Sequence, residues 1–387
     1  MGAWSVLRAG ELEGVAQAIS ACVRVRGEVV HASLHGVVRD GLDRHPVEAR
    51  HLFDVASLTK VLATTGVAAS LAAERRLELD APVAAVLPEF GQGGKEGITF
   101  RHLLAHSGGL CSGRPWFEAA ARDPVAGGAF RAPADRPPPA ELREAFARGR
   151  ALVAGAVLAE VPEAPPGARA VYSDAGFIAL GLALERLGGA SLPALAQARV
   201  FEPLGLRSTF FLDGLDPAAA AARRAGRVFL PTGQRPRRQE VSCGAVHDDN
   251  AWAMGGAAGH AGLFSTAEDV AAVGQAWLDA LSVRDSVLPV KEALAFARRD
   301  ETPGSGRALG WDTPGERSSL GERLGRGPRG AIGHLGHTGC SLWIDLDAQV
   351  VCALLTNHTH PGGVPDRQRI LAFRRSFHDA VGEALGA

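Results

Sequence analysis

Strand-forming sequence stands at the two ends of this chain, and helix-forming sequence fills the space between. Residues 21–38, ACVRVRGEVVHASLHGVV, form two alternating runs around Arg26-Gly27-Glu28, which predicts an antiparallel hairpin. Residues 331–338, 341–344 and 350–355 read as strands near the other end, and 366–385 as a closing helix. Between them, 61–76, 141–160, 175–187, 192–200 and 267–281 carry helical apolar spacing, the last opened by a capping box, Ser265-Thr266-Ala267-Glu268. Residues 11–22 read as an amphipathic helix, and 131–139 and 316–330 as loops. Strands that far apart can share a sheet only if the chain ends meet. The expectation is an α+β fold: an antiparallel sheet from both chain ends, flanked by helices, with an all-helical lobe inserted. Residues 1–65 and 255–387 would form the sheet part and 66–254 the lobe, within one unit.

Charge narrows the partners. A formal net charge of −1 over 387 residues predicts no general attraction to nucleic acid or to an anionic membrane. The short basic cluster at 235–238, RPRR, reads as solvated loop charge. No apolar run approaches the ~20 residues a membrane helix needs, and the start lacks the pattern of a secretory leader. The five cysteines (Cys22, Cys111, Cys243, Cys340 and Cys352) are scattered without C-x-x-C spacing. They predict reduced thiols and a cytoplasmic location.

Two rare residues point to chemistry. Lys60, Lys95 and Lys291 are the lysines among 41 Lys plus Arg residues, so arginine has displaced lysine nearly everywhere. A lysine kept against that bias suits work a guanidinium cannot do, such as shedding a proton. Lys60 stands in Ser57-Leu58-Thr59-Lys60 at the start of a predicted helix, where positions i and i+3 share a face. A first-turn serine also lies at the positive end of the helix dipole. The pair fits a serine nucleophile activated by a neutral lysine. The chain's single tyrosine, Tyr172, precedes the helix of 175–187 in Val171-Tyr172-Ser173-Asp174. Its phenol can act as acid or base beside an ammonium. The third piece is Gly336-His337-Thr338-Gly339-Cys340-Ser341, a polar strand end whose glycines let a ligand lie close.

In this order, S-x-x-K, then Y-x-(N/D), then (K/H)-T-G, the motifs resemble the serine β-lactamase and penicillin-binding protein superfamily, in its class C-like, β-lactamase-related serine hydrolase branch. The segments LLAHSGGL, FEPLGL and GHAGLFSTAED carry the likeness along nearly the whole chain. The resemblance implies the β-lactamase/transpeptidase-like fold and a serine acyl-hydrolase. Ser57 would be the acylated nucleophile, Lys60 its proton partner and Tyr172 the second general acid or base. Either Lys60 or Tyr172 takes the serine proton. The backbone amides of Ser57 and Cys340 would form the oxyanion hole; Asp174, His337, Thr338 and Gly339 would contact substrate, Thr338 facing it from the edge strand.

Two positions depart from the family pattern. Asp174 replaces an asparagine, and its carboxylate could pair with the Lys60 ammonium or meet a different substrate group. His337 replaces the lysine that helps hold a substrate carboxylate, a weaker anchor near pH 7. The implied substrate is therefore a small ester, amide or D-amino-acid peptide, with D-Ala-D-Ala carboxypeptidase or β-lactamase action as the enzymatic alternative. A non-catalytic binding protein keeping the fold is the alternative of another class. No cofactor is expected, and the sequence does not set the oligomeric state. A metal would draw on His247, Asp248 and His260, but loop His/Asp pairs mostly serve turns and caps, so none is expected. Gly325-x-Gly327-x-x-Gly330 fails as a dinucleotide fingerprint because it leads into a strand.

Overall fold

A computed structural model describes residues 4–40, 43–131, 142–235, 238–315, 318–360 and 366–386. Strands β1 (Ala18–Val25) and β2 (Glu28–Asp40) form the expected hairpin, turning at Arg26 and Gly27, φ 52° and 93°. Two consecutive positive φ angles are what a two-residue hairpin turn needs, and glycine supplies one of them without strain. The remaining strands are β3 (Asp43–Pro46), β4 (His51–Asp54), β5 (Phe210–Phe211), β6 (Val228–Phe229), β7 (Pro231–Arg235), β8 (Arg238–Cys243), β9 (Leu263–Ser265), β10 (Ala331–Leu335), β11 (Ser341–Asp345) and β12 (Val350–Thr356).

The main sheet runs β10-β11-β12-β1-β2-β3. Its central seam joins the chain ends, β1 pairing antiparallel with β12 from Ile19↔Thr356 to Val25↔Val350. Both faces of the seam are covered. The helix Ala267–Leu281 lies so close on one face that a Cβ at Gly274 would meet Val351 Cγ1 at 2.6 Å. On the other face, Phe373, Phe377 and Val381 of the closing helix Arg367–Leu385 pack with Leu7, Ile19, Val23 and Trp343. The larger apolar cluster runs unbroken from Cys22 and Leu355 of the sheet to Phe146 and Phe177 of the middle segment.

Three expectations need correction. The first helix is Ser5–Leu12, and most of 11–22 is strand β1 and its approach. Ile19, Ala21 and Val23 face one apolar cluster while Ala18 and Cys22 face the other. A strand buried on both faces loses its alternation and imitates a helix. Residues 66–254, expected to be an all-helical lobe, also give β5 and β6 to a second sheet ordered β5-β9-β4-β6, plus the β7–β8 hairpin. The cap of the Ala267–Leu281 helix is Thr266, accepting from the Asp269 N–H, because the Ser265 hydroxyl is taken by Thr209 at 2.8 Å. Of the predicted loops and charge clusters, 132–139, 236–237 and 316–317 lie outside the described residues. Among the described residues one helical stretch, Ala56–Ala73, is long and apolar enough to cross a membrane, and 78% of it is buried in the fold.

Two core histidines tie stability to pH. His334 and His378 are buried, each with Nδ1 at 2.9 Å from a backbone carbonyl, and burial pushes both down to about 4. In the unfolded chain each titrates near 6.5, so on acidification the unfolded state takes up protons first. Their stabilisation is intact above pH ~6.5 and is withdrawn as pH falls toward 4, by up to about 3 kcal/mol each. The urea midpoint is expected to fall steeply between pH 6.5 and 4 and to fall less in His378→Phe. A midpoint that stays level across that window would contradict this.

Candidate active site

β4 delivers the chain to Ser57. Past its end and after Val55, Ala56 takes φ 48°, uncommon for a residue with a Cβ, and Ser57 follows in a 3-10 turn, Ala56–Leu58. The buried Asp54 carboxylate holds this turn, accepting the Ala56 N–H at 2.8 Å and the His247 N–H at 2.6 Å. The next turn is wide, a π-helix over Lys60–Thr64, before the α-helix Thr65–Ala73 begins. Thr59 and Thr64 dock these turns on the 259–263 segment: Thr64 donates to the Gly259 carbonyl and Thr59 accepts the Leu263 N–H.

Lys60 is fully buried, with three acceptors in reach: Ser57 Oγ at 3.2 Å, Asp174 Oδ1 at 2.8 Å and the His260 carbonyl at 3.1 Å. An ammonium has three protons to give. Burial alone would pull its pKa down, but the Asp174 carboxylate and Tyr172 outweigh burial and raise it above the ordinary lysine value. Of the two readings the sequence left open, a neutral amine or an ammonium paired with Asp174, the geometry matches the second, with Lys60 Nζ 2.8 Å from Asp174 Oδ1 and the amine holding its proton at rest. Asp174, one of the two departures from the family pattern, is the larger of the two causes.

Tyr172 reaches the same point from the far side. The 106–112 loop positions it, the His106 carbonyl accepting the Val171 N–H and His106 Nδ1 the Ser173 N–H. Ser173 then caps the helix Asp174–Gly188, placing Asp174 on its first turn, where negative charge is favoured. Two cations lie over the Tyr172 ring, Lys60 Nζ at 4.8 Å and the Arg307 guanidinium at 5.3 Å from its centroid. Lys60 and Ser57, beside its hydroxyl, both pull its pKa down. Burial nonetheless dominates and raises its pKa, so at rest it is a phenol.

The turn between β10 and β11 completes the cleft. His337 stands at the exposed rim, stacked on His247 at 5.6 Å, and crowding by the surrounding protein lowers its pKa. Thr338 does not present its hydroxyl to the cleft as expected: it is fully buried and donates to the Asp54 carbonyl at 2.7 Å. It thus fastens this turn to the Ser57 turn. Gly336 allows the close approach, since a Cβ there would lie 2.5 Å from the Val55 carbonyl oxygen. Gly339 has φ 101°, and a Cβ would strike Thr356 Oγ1 at 2.0 Å, so its role is to make the turn possible. The Cys340 thiol is buried away from solvent and pushed up to about 11, which leaves its amide as the useful group.

The 246–260 segment walls the cleft. His260 Nε2 lies 2.9 Å from Asp248 Oδ1, and Asp248 caps the helix Asp249–Ala253. Arg235 pairs with Asp249 at 2.8 Å and reaches His247 at 3.2 Å. Among the described residues no group of three or more His, Cys, Asp or Glu side chains is placed to hold a metal ion. Sequence reasoning missed Asp54 and Arg307. Asp54 carries a readable signal, an Asx-type turn two residues before Ala56, whereas Arg307 is one arginine among many.

Comparison with known proteins adds a lineage to this geometry. A family model described as Beta-lactamase matches residues 7–375. The chain is 31% identical over 328 residues to an "N-acetylmuramyl-L-alanine amidase" of Bacillus subtilis (strain 168), covering 81% of this chain and 69% of that protein. It is 28% identical over 359 residues to a "Putative D-alanyl-D-alanine carboxypeptidase" of Escherichia coli (strain K12), covering 86% and 76%. Among solved structures, "EstCE1, a hydrolase with promiscuous acyltransferase activity" superposes with a TM-score of 0.68 at 20% identity, covering 97% of each chain.

Proposed function

The chain belongs to the Beta-lactamase family as a hydrolase of its serine type, and we propose that it works through an acyl-enzyme on Ser57. One observation carries the reading: Lys60 Nζ bridges Ser57 Oγ, at 3.2 Å, and Asp174 Oδ1, at 2.8 Å. Lys60 passes a proton to Asp174, and the amine so formed takes the Ser57 proton as Oγ attacks the substrate carbonyl. The Ser57 and Cys340 amides receive the oxyanion; one such donor is worth about 3 kcal/mol. As the intermediate collapses, the Tyr172 phenol protonates the leaving group. The resulting phenolate then takes a proton from water, whose hydroxide attacks the acyl-enzyme. Ser57 departs with the proton returned from Asp174 through Lys60, and the site is as it began.

The substrate in this proposal is a small ester, amide or D-amino-acid peptide. The names of the amidase and carboxypeptidase relatives favour the peptide end of that range. His337 opposes a substrate that depends on a carboxylate anchor, because its lowered pKa leaves it neutral near pH 7. The five free cysteines fit a reducing compartment, so the proposal includes a cytoplasmic setting.

A panel of p-nitrophenyl esters, D-amino-acid amides and nitrocefin tests the reading. Short-chain esters or D-amino-acid amides are expected to turn over, with Ser57→Ala lowering kcat by about 10⁴-fold or more. Nitrocefin is expected to stay below kcat/KM of about 10⁵ M⁻¹s⁻¹. Nitrocefin turnover at or above that level would overturn the substrate assignment. Full activity in Ser57→Ala would overturn the mechanism.

A further inference from the structure

We propose that Arg374, on the closing helix Arg367–Leu385, is a positioning residue that sets the Cys340 N–H toward the oxyanion; this rests on the acyl-enzyme reading above. Arg374 does not touch the cleft. Its side chain is buried, and its partners are three backbone carbonyls of one five-residue turn. Nε donates to Gly339 O at 3.0 Å, and Nη2 donates to Gly336 O at 2.8 Å and Cys340 O at 2.7 Å.

The consequence follows from peptide geometry. In a planar trans peptide the C=O and the next N–H point in opposite directions. Drawing the Gly339 carbonyl toward Arg374 therefore turns the Cys340 N–H away from Arg374. The Ser57 amide is set in the same manner. The Ala56 carbonyl accepts the Thr59 hydroxyl at 2.7 Å as well as the Thr59 N–H, so the Ser57 N–H faces the opposite way. Both proposed oxyanion donors are thus aimed by a buried group holding the carbonyl of the same peptide.

Gly339 makes such an anchor necessary. At φ 101° it lies in territory that glycine alone enters freely, so the 339–340 peptide has a low barrier to rotation. The flipped peptide would aim a carbonyl oxygen at the developing oxyanion, replacing attraction with repulsion. Three charge-assisted hydrogen bonds from one guanidinium select against the flip. Burial lowers Arg374 to about 10, so it remains a cation at neutral pH. Its planar fork reaches several carbonyls at once, which a lysine ammonium on a thinner stem does less well.

The test compares wild type, Arg374→Lys and Arg374→Met. Readouts are kcat and KM on the best p-nitrophenyl ester, Kd for phenylboronic acid as a tetrahedral adduct, and thermal midpoint. Arg374→Met is expected to lose about 10²–10³-fold in kcat. KM should stay within about threefold, phenylboronic acid should weaken in parallel with kcat, and Arg374→Lys should recover part of both. Folded variants that keep kcat and boronate affinity within about threefold would overturn the inference. So would losses that track the thermal midpoint and fall on KM. If neither variant folds, a crystal structure of the wild-type boronate adduct decides. A boronate oxygen about 3 Å from the Cys340 nitrogen, with Gly339 O still on Arg374, supports the assignment; a Gly339 carbonyl turned into the cleft overturns it. A wild type that forms no Ser57 adduct overturns the acyl-enzyme reading and this inference together, whereas an adduct with unaffected variants overturns the inference alone.

Discussion

Replacing Lys60 by arginine is expected to cut kcat/KM at pH 7 by about 1,000-fold or more, although the positive charge is kept. In the resting site Lys60 is already a cation, so charge is not what distinguishes the two side chains. The distinction is the proton exchange of the proposed relay, in which Lys60 would give one to Asp174 across 2.8 Å and receive one from Ser57 across 3.2 Å. A guanidinium does not release a proton under these conditions, so the relay stops at its first step. Lys60→Met, which removes both charge and proton, should fall to a similar level. Because Lys60 is fully buried, each variant needs a thermal midpoint beside its rate. An arginine variant within about tenfold of wild type would show that the cation alone suffices and would remove the relay.

Asp174→Asn is expected to change the shape of the pH profile, not only its height. In the wild type the carboxylate raises the Lys60 pKa, and in the proposed relay it also receives the Lys60 proton. Asparagine can do neither. Burial, the largest influence on Lys60, then acts without its main opponent and the lysine pKa falls. The variant must work through the fraction of Lys60 already neutral, and that fraction rises tenfold per pH unit below its pKa. Activity at pH 7 should drop about 10²-fold and recover with a slope near one log unit per pH unit on the acid side. The wild type, whose relay begins from the protonated amine, should lack that slope through neutrality. Matching profiles for the two proteins would contradict the assignment of Asp174 as proton acceptor.

How much of this was legible beforehand depended on where the information resides. The hairpin of β1 and β2 and the trio β10 to β12 showed in local patterning, because turn chemistry and apolar runs mark them. Their union into one sheet followed from the need of each to pair. Ser57, Lys60 and Tyr172 stood out because lysine and tyrosine are scarce here, so their presence carried information that the many arginines could not. For the same reason Arg307 and Arg374 were invisible: only packing shows which arginine lies on a phenol and which holds a turn. The charge state of Lys60 was undecidable from the S-x-x-K spacing, since its partner Asp174 is 114 residues away. The resemblance placed Thr338 facing the substrate from an edge strand, yet it lies in the turn, where its hydroxyl donates to the Asp54 carbonyl. The first part of β1, residues 18–22, was read as the end of a helix because burial on both faces erases the alternation that marks a strand.

Everything proposed for the site passes through a covalent bond to Ser57. The direct measurement treats folded protein with a fluorophosphonate, weighs the intact chain and maps the modified peptide by mass spectrometry. The account predicts a single adduct on Ser57 that is absent from Ser57→Ala. An unmodified Ser57 in protein that is demonstrably folded, or equal labelling of Ser57→Ala, would contradict it.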